Sequence, residues 1–182
     1  MEDLSLHILD VAENGIRAGA TLIKILVDEN LEDDLLTIVI KDNGKGMSTE
    51  FLNNVLDPFV TTRTTRRVGL GLSMFQQSAL EAEGNLEVQS TPGVGTKVTV
   101  TMRNSHIDRK PMGDMVSTVL ALIEGNPNVD VVYDHRRGHG EYVLDTREIR
   151  VELGDIPMNF PQVVSLLQSN LSEGLKELNV IS

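Results

Sequence analysis

A chain of 182 residues, 40% hydrophobic and 24% charged, is long enough for one full core with a smaller extension, and no apolar run approaches the ~20 residues of a membrane span. A formal net charge of −11, with only 3% aromatic residues and no Trp, argues against nucleic acid, anionic membrane or stacked bases as partners. The absence of Cys excludes disulfides, thiolate metal sites and cysteine nucleophiles, and the N-terminus lacks a basic-then-apolar secretory signal, so a cytoplasmic location is expected.

Residues 7–21 (HILDVAENGIRAGAT) predict an amphipathic helix. At about 100° per residue His7, Asp10, Asn14 and Arg17 fall in one polar stripe, opposite Ile8, Val11, Ala12, Gly15 and Ile16, which need a sheet to cover them. Residues 21–29 and 34–41 predict two antiparallel strands rich in Ile, Leu and Val. After DNGKGM at 42–47, Ser48 with Glu50 behind it caps a short helix to about residue 56, and Asp57-Pro58 ends it. The stretch to residue 69 reads as a basic loop, with TTRTTRR (61–67) a cationic patch in an acidic chain. A helix over 70–83 follows, then strands over 86–90 and 96–103 around a Pro92-Gly93 turn.

These elements predict an α/β (α+β) sandwich over residues 1–103: a mixed β-sheet with helices on one face. Residues 104–182 are expected to form a small C-terminal α/β unit. It holds a helix over 114–124, a hairpin of strands 129–135 and 141–145, a segment 147–153 open between strand and helix, and a last helix from Pro161 burying Val164, Leu167, Leu171, Leu175 and Leu178. At the hairpin tip Asp134, His135 and His139 have spacing open to zinc, although beside Arg136 and Arg137 the tip reads better as a partner-binding loop.

Three places carry chemistry. A carboxylate, a carboxamide and a guanidinium at Asp10, Asn14 and Arg17 suit a metal-bound phosphate, or form the solvated side of an ordinary helix. Asp42 ends a buried-looking strand, and Gly44 and Gly46 remove side chains where a flat base would approach; a carboxylate there accepts from an exocyclic amine, favouring adenine. Gly69-Leu70-Gly71 opens the next helix and exposes backbone N–H groups to an anion. P-loop and dinucleotide-fold glycine motifs are absent.

Taken in order, ENGIRAGAT, DNGKGM, DPFVTTR, GLGL and GTKV resemble the GHKL, or Bergerat-fold, ATP-binding domains of sensor histidine kinases, gyrase B subunits, MutL repair proteins and anti-sigma kinases, over about residues 4–103. The resemblance implies ATP and Mg²⁺ as ligands. It implies that Asn14 holds the Mg²⁺ that bridges the phosphates and Arg17 touches phosphate. Asp42 reads the adenine amino group, with Gly44, Gly46 and Met47 lining the base and Thr96 supporting Asp42 or a water. Phe59 anchors a lid in which Thr61, Thr62, Arg63 and Arg67 face the phosphates that Gly69, Leu70 and Gly71 approach.

Asp10 stands where ATPases and anti-sigma kinases of this fold place a Glu as general base, and is one methylene shorter, so slow turnover is expected. With so little chain before the first box and ~80 residues after the last, neither the phosphoacceptor hairpin of sensor kinases nor the transducer domain of MutL and gyrase relatives is expected in this sequence. The expectation is an ATP-dependent regulatory enzyme, a slow ATPase or a kinase, acting on a partner protein; the alternative is an adaptor in which ATP orders the lid without turnover.

Overall fold

Alternation along β1 (Leu22–Asn30) and β2 (Leu35–Asp42) puts Ile23, Ile25 and Val27 on one face beside Leu36, Ile38 and Ile40, all buried, while Lys24, Leu35 and Lys41 face outward. A computed structural model, describing residues 3–57 and 66–182 with side chains outside 66–70, places these strands antiparallel at the centre of a six-stranded mixed sheet, order β3-β4-β2-β1-β5-β6. β3 (Asn85–Thr91) and β4 (Gly95–Arg103) form the hairpin on one flank. β5 (Asp130–Arg137) and β6 (Gly140–Asp145) form the other, β5 running parallel to β1. The strands that follow residue 104 therefore extend the first sheet. Segment 147–153 is helical within α5 (Thr146–Leu153).

Helices cover the buried face. α1 (Leu4–Arg17) lies on β1, β2 and β4 through Ile8, Val11 and Ala12, with α3 (Arg66–Glu81) and α4 (Met115–Gly125) beside it and α6 (Pro161–Glu177) against α4. α6 buries Val163 with Leu167, Leu171 and Leu175, one residue off the expected Val164. α1 ends at Gly19, whose φ of +84° allows Gly19 N–H to reach Ile16 O at 2.9 Å and Ala20 N–H to reach Gly15 O at 3.1 Å. α2 (Thr49–Asn54) is capped by Ser48, whose hydroxyl accepts from Phe51 N–H at 3.2 Å.

Two expectations change. α3 begins at Arg66, four residues early, so Gly69, Leu70 and Gly71 lie inside its first two turns and Arg66 and Arg67 are helical. Glycine costs a helix about 1 kcal/mol without stopping it, and no proline intervenes. His7, read as part of a solvated stripe, is buried against α3, its ring stacked on Phe75 at 4.9 Å between centroids and 9° between planes.

Candidate functional site

The first helix and the second strand meet where a side chain is missing. A Cβ on Gly15 would stand 2.7 Å from Asp42 Cβ and 2.9 Å from its Oδ2, so the bare face of α1 lets Asp42 come to rest one residue from Asn14. Gly44 N–H donates to Asp42 Oδ1 at 2.8 Å. The carboxyl is half-buried: burial raises its pKa above the ordinary value, against hydrogen bonds from the amides of Gly44 and Thr96. Asp42 thus has Oδ1 tied to Gly44 N–H and Oδ2 against the bare Gly15, with the side chain on the wall of a cavity.

That cavity, of about 360 Å³, brings together, among the described residues, Asn14, Asp42, Gly46, Met47 and Thr96 of the expected set. Its other walls are Val11, Gly15 and Ala18 of the first helix and its end, and Lys45, Ser48, Phe51, Leu72 and Val98, none of which the sequence marked as a site residue. Phe51 and Leu72 are apolar residues of amphipathic helices, and nothing local distinguishes a cavity wall from core.

The 43–48 loop is pinned at both ends. Lys45 N–H donates to Ala18 O at 2.9 Å, Gly93 N–H to Lys45 O at 2.7 Å, and Met47 N–H to Ser90 Oγ at 2.8 Å. Ser90 Oγ also lies 2.8 Å from Thr96 Oγ1, so the Thr96 hydroxyl braces the loop through Ser90 while its amide meets Asp42. Gly46, at φ +70°, leaves no room for a Cβ, which would fall 2.1 Å from Thr91 O. We expect Gly46→Ala to lower stability by about 2 kcal/mol, read from urea unfolding, because both backbone strain and a clash with main chain must be relieved.

Asp10, Arg17 and the buried Gly44 stand outside the cavity lining. Asp10 is exposed, and its carboxylate lies against α3 where Gly71 is bare: a Cβ there would be 2.8 Å from Oδ2. Arg17 donates through Nη1 to Asn14 Oδ1 at 2.7 Å and through Nη2 to Glu13 Oε2 at 3.2 Å. Phe59, Thr61, Thr62 and Arg63 lie outside the described residues; Arg67, Gly69 and Leu70 are placed as helix backbone.

The hairpin tip is arranged differently from a metal site. His135 is fully buried between Tyr133 and Glu29, whereas the side chain of His139 is 96% exposed and faces Glu32 at 3.7 Å. Arg136 is held by Asp134 and Glu141, and Arg137 donates to Leu178 O and Asn179 O at the end of α6. Among the described residues no group of three or more His, Cys, Asp or Glu is placed to hold a metal ion.

Residues 2–106, more than half of the chain, match the family model described as histidine kinase-, DNA gyrase B-, and HSP90-like ATPase. The chain belongs to this ATPase family. Curated relatives of this GHKL domain include the non-motile and phage-resistance protein of Caulobacter vibrioides, 32% identical over 119 residues, covering 60% of this chain and 14% of that protein. Sporulation kinase D of Bacillus subtilis is 34% identical over 95 residues (52% and 19%), and the signal transduction histidine-protein kinase AtoS of Escherichia coli 30% over 96 residues (52% and 16%). The chain thus spans less than a fifth of the length of these relatives. Among solved structures, the N-terminal domain of a DNA repair protein has the same fold, with a TM-score of 0.56 at 16% identity, covering 80% of this chain and 53% of that one. Among the described residues of this GHKL chain, no helix is long and apolar enough to cross a membrane.

Proposed function

We propose that this GHKL domain, residues 1–103, binds ATP in the Asp42 cavity and acts as a regulatory ATPase or protein kinase on a partner protein, with residues 104–182 serving partner binding. The carrying observation is that Asn14 and Asp42, from two elements far apart in sequence, line one cavity of about 360 Å³, within the range of small-ligand pockets. The Asp42 carboxylate accepts from the adenine amino group, which guanine lacks at that position. Gly44 and Gly46 keep the base close to the backbone, and Met47 covers it.

Magnesium fits the donor set. Asn14 Oδ1 already accepts from a cation, the Arg17 guanidinium, so a positively charged ligand suits this oxygen. Asn14 would hold the ion with the phosphates, and a bound ion would supply positive charge against the phosphoryl oxygens. Arg17, released from Asn14, turns to phosphate oxygens. Arg63 and Arg67 complete the phosphate clamp with Thr61 and Thr62, Phe59 anchors this lid, and the N-terminal turns of α3, which hold Gly69, Leu70 and Gly71, face the phosphates. Asp10 accepts the proton of the attacking water or hydroxyl.

Calorimetry with ATP, ADP and GTP, with and without Mg²⁺, tests the ligand; phosphate release and γ-phosphate transfer in Asp10 and Asp10→Asn chains test the chemistry. Equal affinity for GTP would defeat the adenine reading, and ATP that stays intact would leave an ATP-sensing adaptor. The exposed position of the shortened Asp10 carboxylate, against Gly71 and off the cavity wall, favours that second reading.

The raised Asp42 pKa gives a pH signature. The charged carboxylate accepts from the adenine amine more strongly than the neutral acid, so affinity is full above the folded-state pKa and falls as the pH drops through it, at a pH above the ordinary carboxylate value. Stability runs the other way: the folded chain binds this proton more tightly than the unfolded one, so the Asp42 contribution grows on acidification. Titrations of ADP against pH should show the loss, and Asp42→Asn should flatten that part of the profile.

A further inference from the structure

The face of the sheet turned away from the helices carries an arrangement that the cavity does not use. Lys24 of β1 is the registered partner of Lys41 on β2, and Lys41 of Lys97 on β4, so three exposed ammonium groups form one row across three adjacent strands. They are half of the six lysines in a chain of net charge −11. Like charges directly opposite one another destabilise a sheet. All three strands are interior, so the row is not protection of an edge.

Among the described residues none of the three is in a salt bridge. Asp145, at the end of the same row beyond Val132, accepts from Arg147 Nε at 3.0 Å and Nη2 at 2.8 Å, and the Lys24 charge acts on it only at longer range, as the last of the influences that lower its pKa. Two residues along the strands, Leu26 and Val39 are registered partners, each half-buried, and form an apolar strip beside the lysines. Asp134 flanks Leu26 in that same row, held by Arg136, and Asp28 follows two residues further along β1. A uniform polyanion laid on this surface would meet those carboxylates; a ligand with acids on one edge and apolar groups on the other would not.

We infer that the open face of the sheet docks an acidic amphipathic helix of a partner protein, its carboxylates on Lys24, Lys41 and Lys97 and its apolar side chains on Leu26 and Val39. The spacing fits. Strands about 4.8 Å apart set the row at roughly 5 and 10 Å, and a helix rising 1.5 Å per residue presents positions i, i+3 and i+7 at about 4.5 and 10.5 Å. Lys41 and Lys97 immediately neighbour Asp42 and Thr96 in sequence, so the helix docks behind the cavity, on the other side of the sheet. The docking requires no nucleotide.

The probe is an 18-residue helical peptide with Glu at i, i+3 and i+7 beside a Leu face, titrated into the ¹⁵N-labelled full chain. Amide shifts should concentrate at residues 24, 26, 39, 41 and 97, and the affinity should fall with added salt. The triple variant Lys24→Gln, Lys41→Gln, Lys97→Gln should bind the peptide about tenfold more weakly, the combined effect of three modest surface ion pairs. It should melt no lower than the wild type and bind ATP unchanged, which separates failure here from failure of the nucleotide reading. Shifts confined elsewhere, equal affinity in the triple variant, or a lysine-dependent dimer of the chain without peptide would each overturn the inference.

Discussion

Asp42→Asn should raise the Kd for ATP by about fivefold or more while leaving the melting temperature nearly unchanged. The two effects separate because the carboxyl has two jobs on two oxygens. Oδ1 accepts from Gly44 N–H, and an Asn side-chain oxygen can keep that bond at the same 2.8 Å geometry. The amide nitrogen then replaces the second oxygen and points a donor at the adenine amine, itself a donor. A mismatched buried hydrogen bond costs about 1–3 kcal/mol, which is roughly 5- to 150-fold in affinity. Burial of the charged form, which raises the Asp42 pKa, is also relieved by Asn, so no loss of stability is expected from desolvation. Calorimetric titration beside a thermal melt measures both quantities; an unchanged Kd would place the adenine elsewhere.

The meeting of Asn14 with Asp42 was legible because both are fixed by local rules: a 3.6-residue period sets which face Asn14 occupies, and the strand's alternation followed by DNGKGM sets where Asp42 ends. What lets them meet was not legible. Gly15 reads as one more small residue on an apolar face, and only the close approach of Asp42, at 2.7 Å from where its Cβ would be, gives it a role. Glycines misled in the opposite sense in α3, where Gly69 and Gly71 read as a boundary and lie inside the helix. His7 was assigned by angle alone, yet α3 covers the first turns of α1 and closes over that side of it. For His135 the signal was present. Val131, Tyr133 and His135 share one parity in β5, and two of the three are hydrophobic, which puts the histidine on the buried face.

That buried histidine supports the second large effect, since His135→Leu should destabilise the fold by about 3 kcal/mol. His135 joins two groups that have few other options. Tyr133, fully buried, lies 2.5 Å from Nδ1, and Glu29 Oε2 lies 2.9 Å from Nε2. Burial holds the Tyr133 pKa well above its ordinary value, so the phenol stays protonated and donates to Nδ1, which leaves Nε2–H to donate to Glu29. Leucine fills the volume and removes both partners: a buried hydroxyl is left unpaired, and Glu29 keeps only Arg137, whose Nε stands 3.8 Å from Oε1. Neutralising the acid should return part of the loss. The double variant His135→Leu, Glu29→Gln should unfold in urea with a loss smaller than the sum of the single losses by about 1 kcal/mol or more, as residues in one network do. Strictly additive losses would mean that the pair is not coupled. Because His135 pairs near Val27, four residues along β1 from the Ile23–Asp42 pair, the same variants should bind ATP with unchanged affinity wherever they remain folded.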